Sequence, residues 1–204
     1  MATNRHVVEP WWQDDTTAEL ARRGLSPRRS SLRAFFPSLG VPVPLSVTAV
    51  SASADTALAT VPAASLVGPG GRRLPVLELE RKEIPVSGQP VVLLGYPTGL
   101  DALLARLEDA EVAIVVKAAG SDPSGLVAEL ARRGKVRPLA AQGHFGDVVA
   151  DPLVYDAATT VGGSGGPLFN TRGRVVGVNA AVLTGFAGAS FGVPIRFVVE
   201  LLPR

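Results

Sequence analysis

The chain has 204 residues, of which 47% are hydrophobic, with 20 basic and 18 acidic side chains and a net charge of +2. That is enough chain for one sizeable core. The charge excess is too small to argue for nucleic acid, no apolar run approaches the roughly 20 residues of a membrane helix, and the absence of cysteine excludes a disulfide framework. There are 22 glycines and 17 prolines, a composition that favours turns over long helices.

The N-terminal stretch Thr3-Asn4-Arg5-His6-Val7-Val8 carries one of only two histidines, and no secretory leader pattern precedes it. By position His6 reads as a surface residue near a frayed end. Residues 9–33 form an excursion: Trp11 and Trp12 read as packing anchors, and Thr16 to Arg23 as a short helix ended by Gly24. Strands are expected at 32–36, 45–50 and 56–61, where short apolar or alternating runs are bounded by Pro, Gly and Ser. Between the last two sits Asp55, either a turn-capping carboxylate or one held at the core edge to orient a histidine.

Further strands are expected at 74–79 and 90–97, with a helical turn or two at 100–108, while Val112 to Val116 is apolar and β-branched. Asp122 to Gly134 is the best helix signal: Asp122 at the N-cap, Pro123 at the first position, one apolar face and a closing glycine. It reads as a packing element. His144 falls in a glycine-flanked turn or bulge after a strand at 136–141 and reads as structural. The arginine pairs at 22–23, 28–29, 72–73 and 132–133 read as solvated surface.

The segment Gly162-Gly163-Ser164-Gly165-Gly166-Pro167 has the composition of a flexible linker. It nonetheless sits inside a continuous run of short strands, since strands are expected at 174–182 and 189–193, before a terminal helix at 194–202. The alternative is a nucleophilic serine on a tight turn, with the N–H groups of Gly162 and Ser164 free to converge on one oxyanion. Such a serine needs a base, and a carboxylate behind it.

His6, Asp55 and Ser164 occur in the chain order of the chymotrypsin-type triad. The words around them resemble the trypsin-like and HtrA-like serine proteases: Thr3–Val8 the histidine motif, Asp55–Ala59 the aspartate motif, Gln89–Pro97 the strand after it, Asp156–Leu168 the serine motif, and Ser190–Pro194 the strand beside the substrate pocket. The resemblance implies an all-β fold of two packed six-stranded-type antiparallel β-barrels, to which the residues add a short C-terminal helix and one inserted helix. The lobes would span 1–97 and 136–204, joined by a connector at 98–135. It further implies a serine endopeptidase acting through His6, Asp55 and Ser164, with an oxyanion hole at Gly162 and Ser164. The pocket would be uncharged, made by Ala158, Thr159, Val182, Leu183 and Ser190, and would take a small or medium apolar residue. Peptides or unfolded proteins would be the substrates, with no cofactor and no metal.

The chain departs from the family pattern in three places. Five residues precede His6 where relatives have strands, so the first barrel is expected to be incomplete and His6 poorly anchored. Gly163 stands where relatives usually carry Asn or Asp, and the intervals between the three motifs are long. These departures leave a second reading open, a protease-like domain that binds peptides or partners without turning them over. Relatives are often exported, but the compartment is not readable from this chain.

Overall fold

The computed structural model describes every residue except 13–15, 38, 97–98, 121, 149–150, 160–161, 183–188 and 204, and at Thr16, Pro69, Ala181 and Val182 the backbone alone. Its centre is a closed six-stranded barrel whose neighbouring strands run in the order 175–182, 190–194, 153–155, 139–148, 90–95 and 167–169. The strands are β6 (Pro90–Gly95), β7 (Leu139–Val148), β8 (Leu153–Tyr155), β9 (Pro167–Phe169), β10 (Val175–Val182) and β11 (Ser190–Pro194), all pairing antiparallel. Alternate residues turn inward. Val91, Leu93, Phe145, Leu153, Tyr155, Leu168 and Val176 fill the interior, and the Phe145 and Tyr155 rings meet edge to face.

The N-terminal lobe is smaller. A three-stranded sheet runs β1 (Ala2–Thr3), β5 (Ala57–Thr60), β4 (Ser46–Val50), and a separate ribbon pairs β2 (Arg33–Ala34) with β3 (Val43–Pro44). Among the described residues these strands do not close a barrel, in line with the incomplete first barrel expected. A layer of Leu58, Val175, Val178, Ile195 and Val198 joins the lobes, with Ala2 and Ala49 packed against it. Helix α6 (Ile195–Leu201) supplies two of these side chains. Burial at 25–30 cal/mol per Å² of apolar surface makes such a layer adhesive but not directional.

Two sequence expectations are corrected, and a stretch left unassigned gains its structure. Strand β6, expected in the first lobe, belongs to the barrel, where it pairs with β7 and β9. Its alternation is the same in either lobe, and only the non-local partner decides. The expected strand at 74–79 makes no ladder; Leu79 forms one parallel bridge to Val175, and Val175 N–H donates to Glu78 O. The β-branched stretch at 112–116 is helical, inside α4 (Asp109–Ala119). It packs with α3 (Leu100–Leu104) and α5 (Pro123–Arg132) around Leu103, Val115 and Leu130, and that burial outweighs a weak strand propensity. Among the described residues the insert thus holds α3, where a helical turn was expected, and α4 besides the expected α5, whose N-cap Asp122 accepts from Ser124 and Gly125 N–H.

The helix expected from Thr16 is α2 (Thr16–Arg22). His144 lies within β7, exposed, with a register shift just after it, and its N–H donates to Asp156 Oδ1 at 2.5 Å.

Candidate active site

His6 sits on α1 (Arg5–Val8), one short turn that follows β1 directly. Asp55 ends the turn between β4 and β5. The two are joined twice: Asp55 Oδ1 accepts from His6 N–H at 2.9 Å, and Asp55 Oδ2 lies 2.6 Å from His6 Nδ1. An ionised carboxylate only accepts, so Nδ1 carries the proton of this bond. The Asp55 side chain is 12% exposed and that of His6 32%, so the imidazole is partly open to solvent and its carboxylate partner is covered.

The N-terminus is held more firmly than the sequence suggests. Met1 N donates to Ala59 O, and Ala59 N–H donates to Met1 O. The Arg5 guanidinium donates to Ser51 O at 2.7 Å and to Glu9 Oε2 at 2.8 Å, and lies 4.7 Å from the centre of the Trp12 ring. Trp12 therefore does serve as an anchor, for the residue beside His6.

Ser164 occupies the turn before β9, at the mouth of the barrel. Gly162 and Gly165 have φ of +92° and +84°, a region glycine enters freely, so this is an ordered turn and not a linker. Gly166 N–H closes it on Gly163 O at 3.1 Å. The Ser164 hydroxyl donates to Ala180 O at 3.1 Å, and among the described residues no hydrogen bond runs between Ser164 and His6.

Asn4 joins the two halves. It is fully buried; its Nδ2 donates to Asp55 O at 2.9 Å, and its Oδ1 accepts from Gly165 N–H at 2.6 Å. Asn179 works from the barrel side: its carbonyl accepts from Gly165 N–H, its side-chain oxygen from Tyr155 Oη, and its Nδ2 donates to Thr159 Oγ1. Burial pushes the Tyr155 hydroxyl far above its ordinary pKa, so it remains a donor. Asn4 and Asn179 were not singled out by sequence reasoning. Asn179 offered a signal, an uncharged amide inside the apolar run 175–182, which must find partners if buried; Asn4, between Thr3 and Arg5, offered none.

Of the expected pocket residues, Ser190 is buried and donates to Ala157 O, Thr159 is half-buried, and Ala158 is exposed. Val182 pairs with Ser190 through its backbone, and Ser190 with Tyr155, so these positions share one end of the barrel. Leu183 lies outside the described residues, as do Thr160 and Val161 of the serine motif.

A closed barrel packed on a second β-lobe, with a histidine–aspartate pair on one and a glycine-flanked serine turn on the other, defines the class of chymotrypsin-like folds. The family model of the trypsin-like peptidase domain matches residues 1–178, and the chain belongs to that family. Its relatives include a probable periplasmic serine endoprotease DegP-like of Pseudomonas putida, 29% identical over 134 residues, covering 64% of this chain and 22% of that protein. The putative serine protease HhoA of Synechocystis is 30% identical over 129 residues, covering 63% and 27%. The mitochondrial serine protease HTRA2 of Drosophila persimilis is 32% identical over 131 residues, covering 64% and 25%. The chain thus spans about a quarter of the length of these relatives. Among solved structures, a serine endoprotease from Yersinia pestis superposes with a TM-score of 0.58 at 16% identity, over 98% of this chain and 51% of that one, a likeness of fold.

Proposed function

We propose that this chain is a serine endopeptidase domain that cleaves peptide bonds through His6, Asp55 and Ser164. The observation that carries the reading is the double hold of Asp55 on His6. With Nδ1 donating to the carboxylate, Nε2 keeps its lone pair and can accept a proton. The proton comes from Ser164, whose hydroxyl must leave its bond to Ala180 O to reach that nitrogen.

As Oγ adds to the carbonyl carbon, its proton passes to His6 Nε2. The N–H groups of Gly162 and Ser164 receive the oxyanion; one such donor contributes about 3–4 kcal/mol in comparable sites. His6 then protonates the leaving amine as the C–N bond breaks, and an acyl-enzyme remains. Water repeats the sequence and releases the acid. Asp55 keeps the imidazole in its tautomer and stabilises the imidazolium. The pocket walls Ala158, Thr159, Val182, Leu183 and Ser190 carry no charge, which supports a small or medium apolar residue before the cut.

A fluorophosphonate probe tests this. Folded wild-type chain takes up one probe per molecule, and Ser164→Ala takes up none. Wild-type chain that stays unlabelled, or labelling that survives Ser164→Ala, overturns the reading.

A further inference from the structure

Each proposed catalytic group is bound inside its own lobe, His6 by Asp55 and Ser164 by Ala180 O. Their mutual distance therefore depends on what joins the lobes. The apolar layer around Leu58 and Val178 is adhesive without fixing an angle. The Asn4 amide is different: it makes two hydrogen bonds of defined geometry, one to the carbonyl of Asp55 and one from the N–H of Gly165, the residue after Ser164. Asn4 and Gly165 are 161 positions apart in the chain.

We propose that Asn4 is a positioning residue for the peptidase reaction, which sets the His6–Ser164 alignment by bolting the Asp55 turn to the serine turn. It rests on the serine-peptidase reading and deepens it. Gly165 N–H has a second acceptor, Asn179 O at 3.0 Å, so the serine turn stays satisfied within the barrel when Asn4 is lost. The loss then falls on the relation between the lobes. The close approach also depends on Gly165, because a Cβ there would lie 2.7 Å from Thr3 Oγ1.

The second-order rate of fluorophosphonate modification tests it, measured from pH 5 to 9 on the full chain as wild type, Asn4→Ala and Asn4→Asp, with melting curves and the final modified fraction. Asn4→Ala reacts about 10- to 100-fold more slowly than wild type, the scale of a misplacement near 1 Å, and by a pH-independent factor. Asn4→Asp behaves differently. Its neutral carboxyl reproduces both bonds, with O–H donating to Asp55 O and C=O accepting from Gly165, whereas its carboxylate faces the Asp55 carbonyl without a proton. Its rate relative to wild type therefore falls as pH rises through the titration of the new group. A residue that serves folding alone lowers the melting temperature and the competent fraction but leaves the rate per competent molecule and its pH ratio unchanged; that result overturns the proposal. Should Asn4→Ala not fold, an Asn4→Asp variant that matches the wild-type rate per competent molecule at every pH overturns it. Wild-type chain that takes no probe is a separate outcome, which removes the peptidase reading itself and this proposal with it.

Discussion

Asp55 holds His6 at two points, the backbone N–H through Oδ1 and the ring Nδ1 through Oδ2. One carboxylate thereby fixes both where the histidine backbone lies and how its ring is turned. Asp55→Asn separates these tasks. Its amide oxygen still accepts from His6 N–H, but its NH₂ faces Nδ1 and drives the imidazole into the opposite tautomer. On the proposed mechanism, peptide hydrolysis is expected to fall by about 10⁴ in kcat, as for tautomer inversion in serine-protease triads. The melting temperature should change little, because the backbone bond remains. A variant that keeps wild-type turnover removes Asp55 from the mechanism.

Gly165 meets two constraints, a φ of +84° and Thr3 Oγ1 at 2.7 Å from any added Cβ. Gly173 has φ of +71° but open space around it. Gly173→Ala should cost roughly 1–2 kcal/mol from backbone conformation alone. Gly165→Ala should cost more, the excess measuring the contact between the lobes. Urea unfolding of both variants reads the difference, and equal losses would show that the Thr3 contact yields without cost.

Thr56 is completely buried, and its hydroxyl has no hydrogen-bond partner among the described residues. Removing a buried hydroxyl without changing shape relieves its desolvation cost, on the order of 1 kcal/mol. Thr56→Val is therefore expected to raise stability by about that amount in chemical denaturation. A loss of similar size would reveal a partner that the hydroxyl finds in solution.

Glu129 on α5 accepts from Arg132 and from Arg133. These bonds, Arg132 first, hold its carboxyl well below the ordinary range, at about 2. A depressed folded-state pKa means the stabilisation is present above the unfolded value near 4.5 and is lost as pH falls toward 2. Melting temperatures of wild type and Glu129→Gln should differ most above pH 5 and converge by about pH 2. A difference that persists unchanged to pH 2 would assign the effect to packing.

The sequence by itself determined the local words. Short apolar runs rich in Val and Leu and bounded by turn residues specify strands such as 90–95 and 175–182, because such side chains suit a pleated sheet wherever the strand goes. Asp122, Pro123 and Gly134 bound a helix, because capping is a matter of a few neighbouring residues. The order His6, Asp55, Ser164 was legible for the same reason, as three short motifs that each carry their own chemistry.

Tertiary structure decided which partners those words find. The barrel claimed β6, the helical insert claimed Val112–Val116, and His6 gained its anchors from Ala59, Ser51 and Asp55, which lie about 50 residues further along the chain. The two asparagines that flank Gly165 belong here as well. A buried amide shows its need for partners in the sequence, but which partners it reaches depends on how two lobes pack, and packing depends on surfaces that no local spacing encodes.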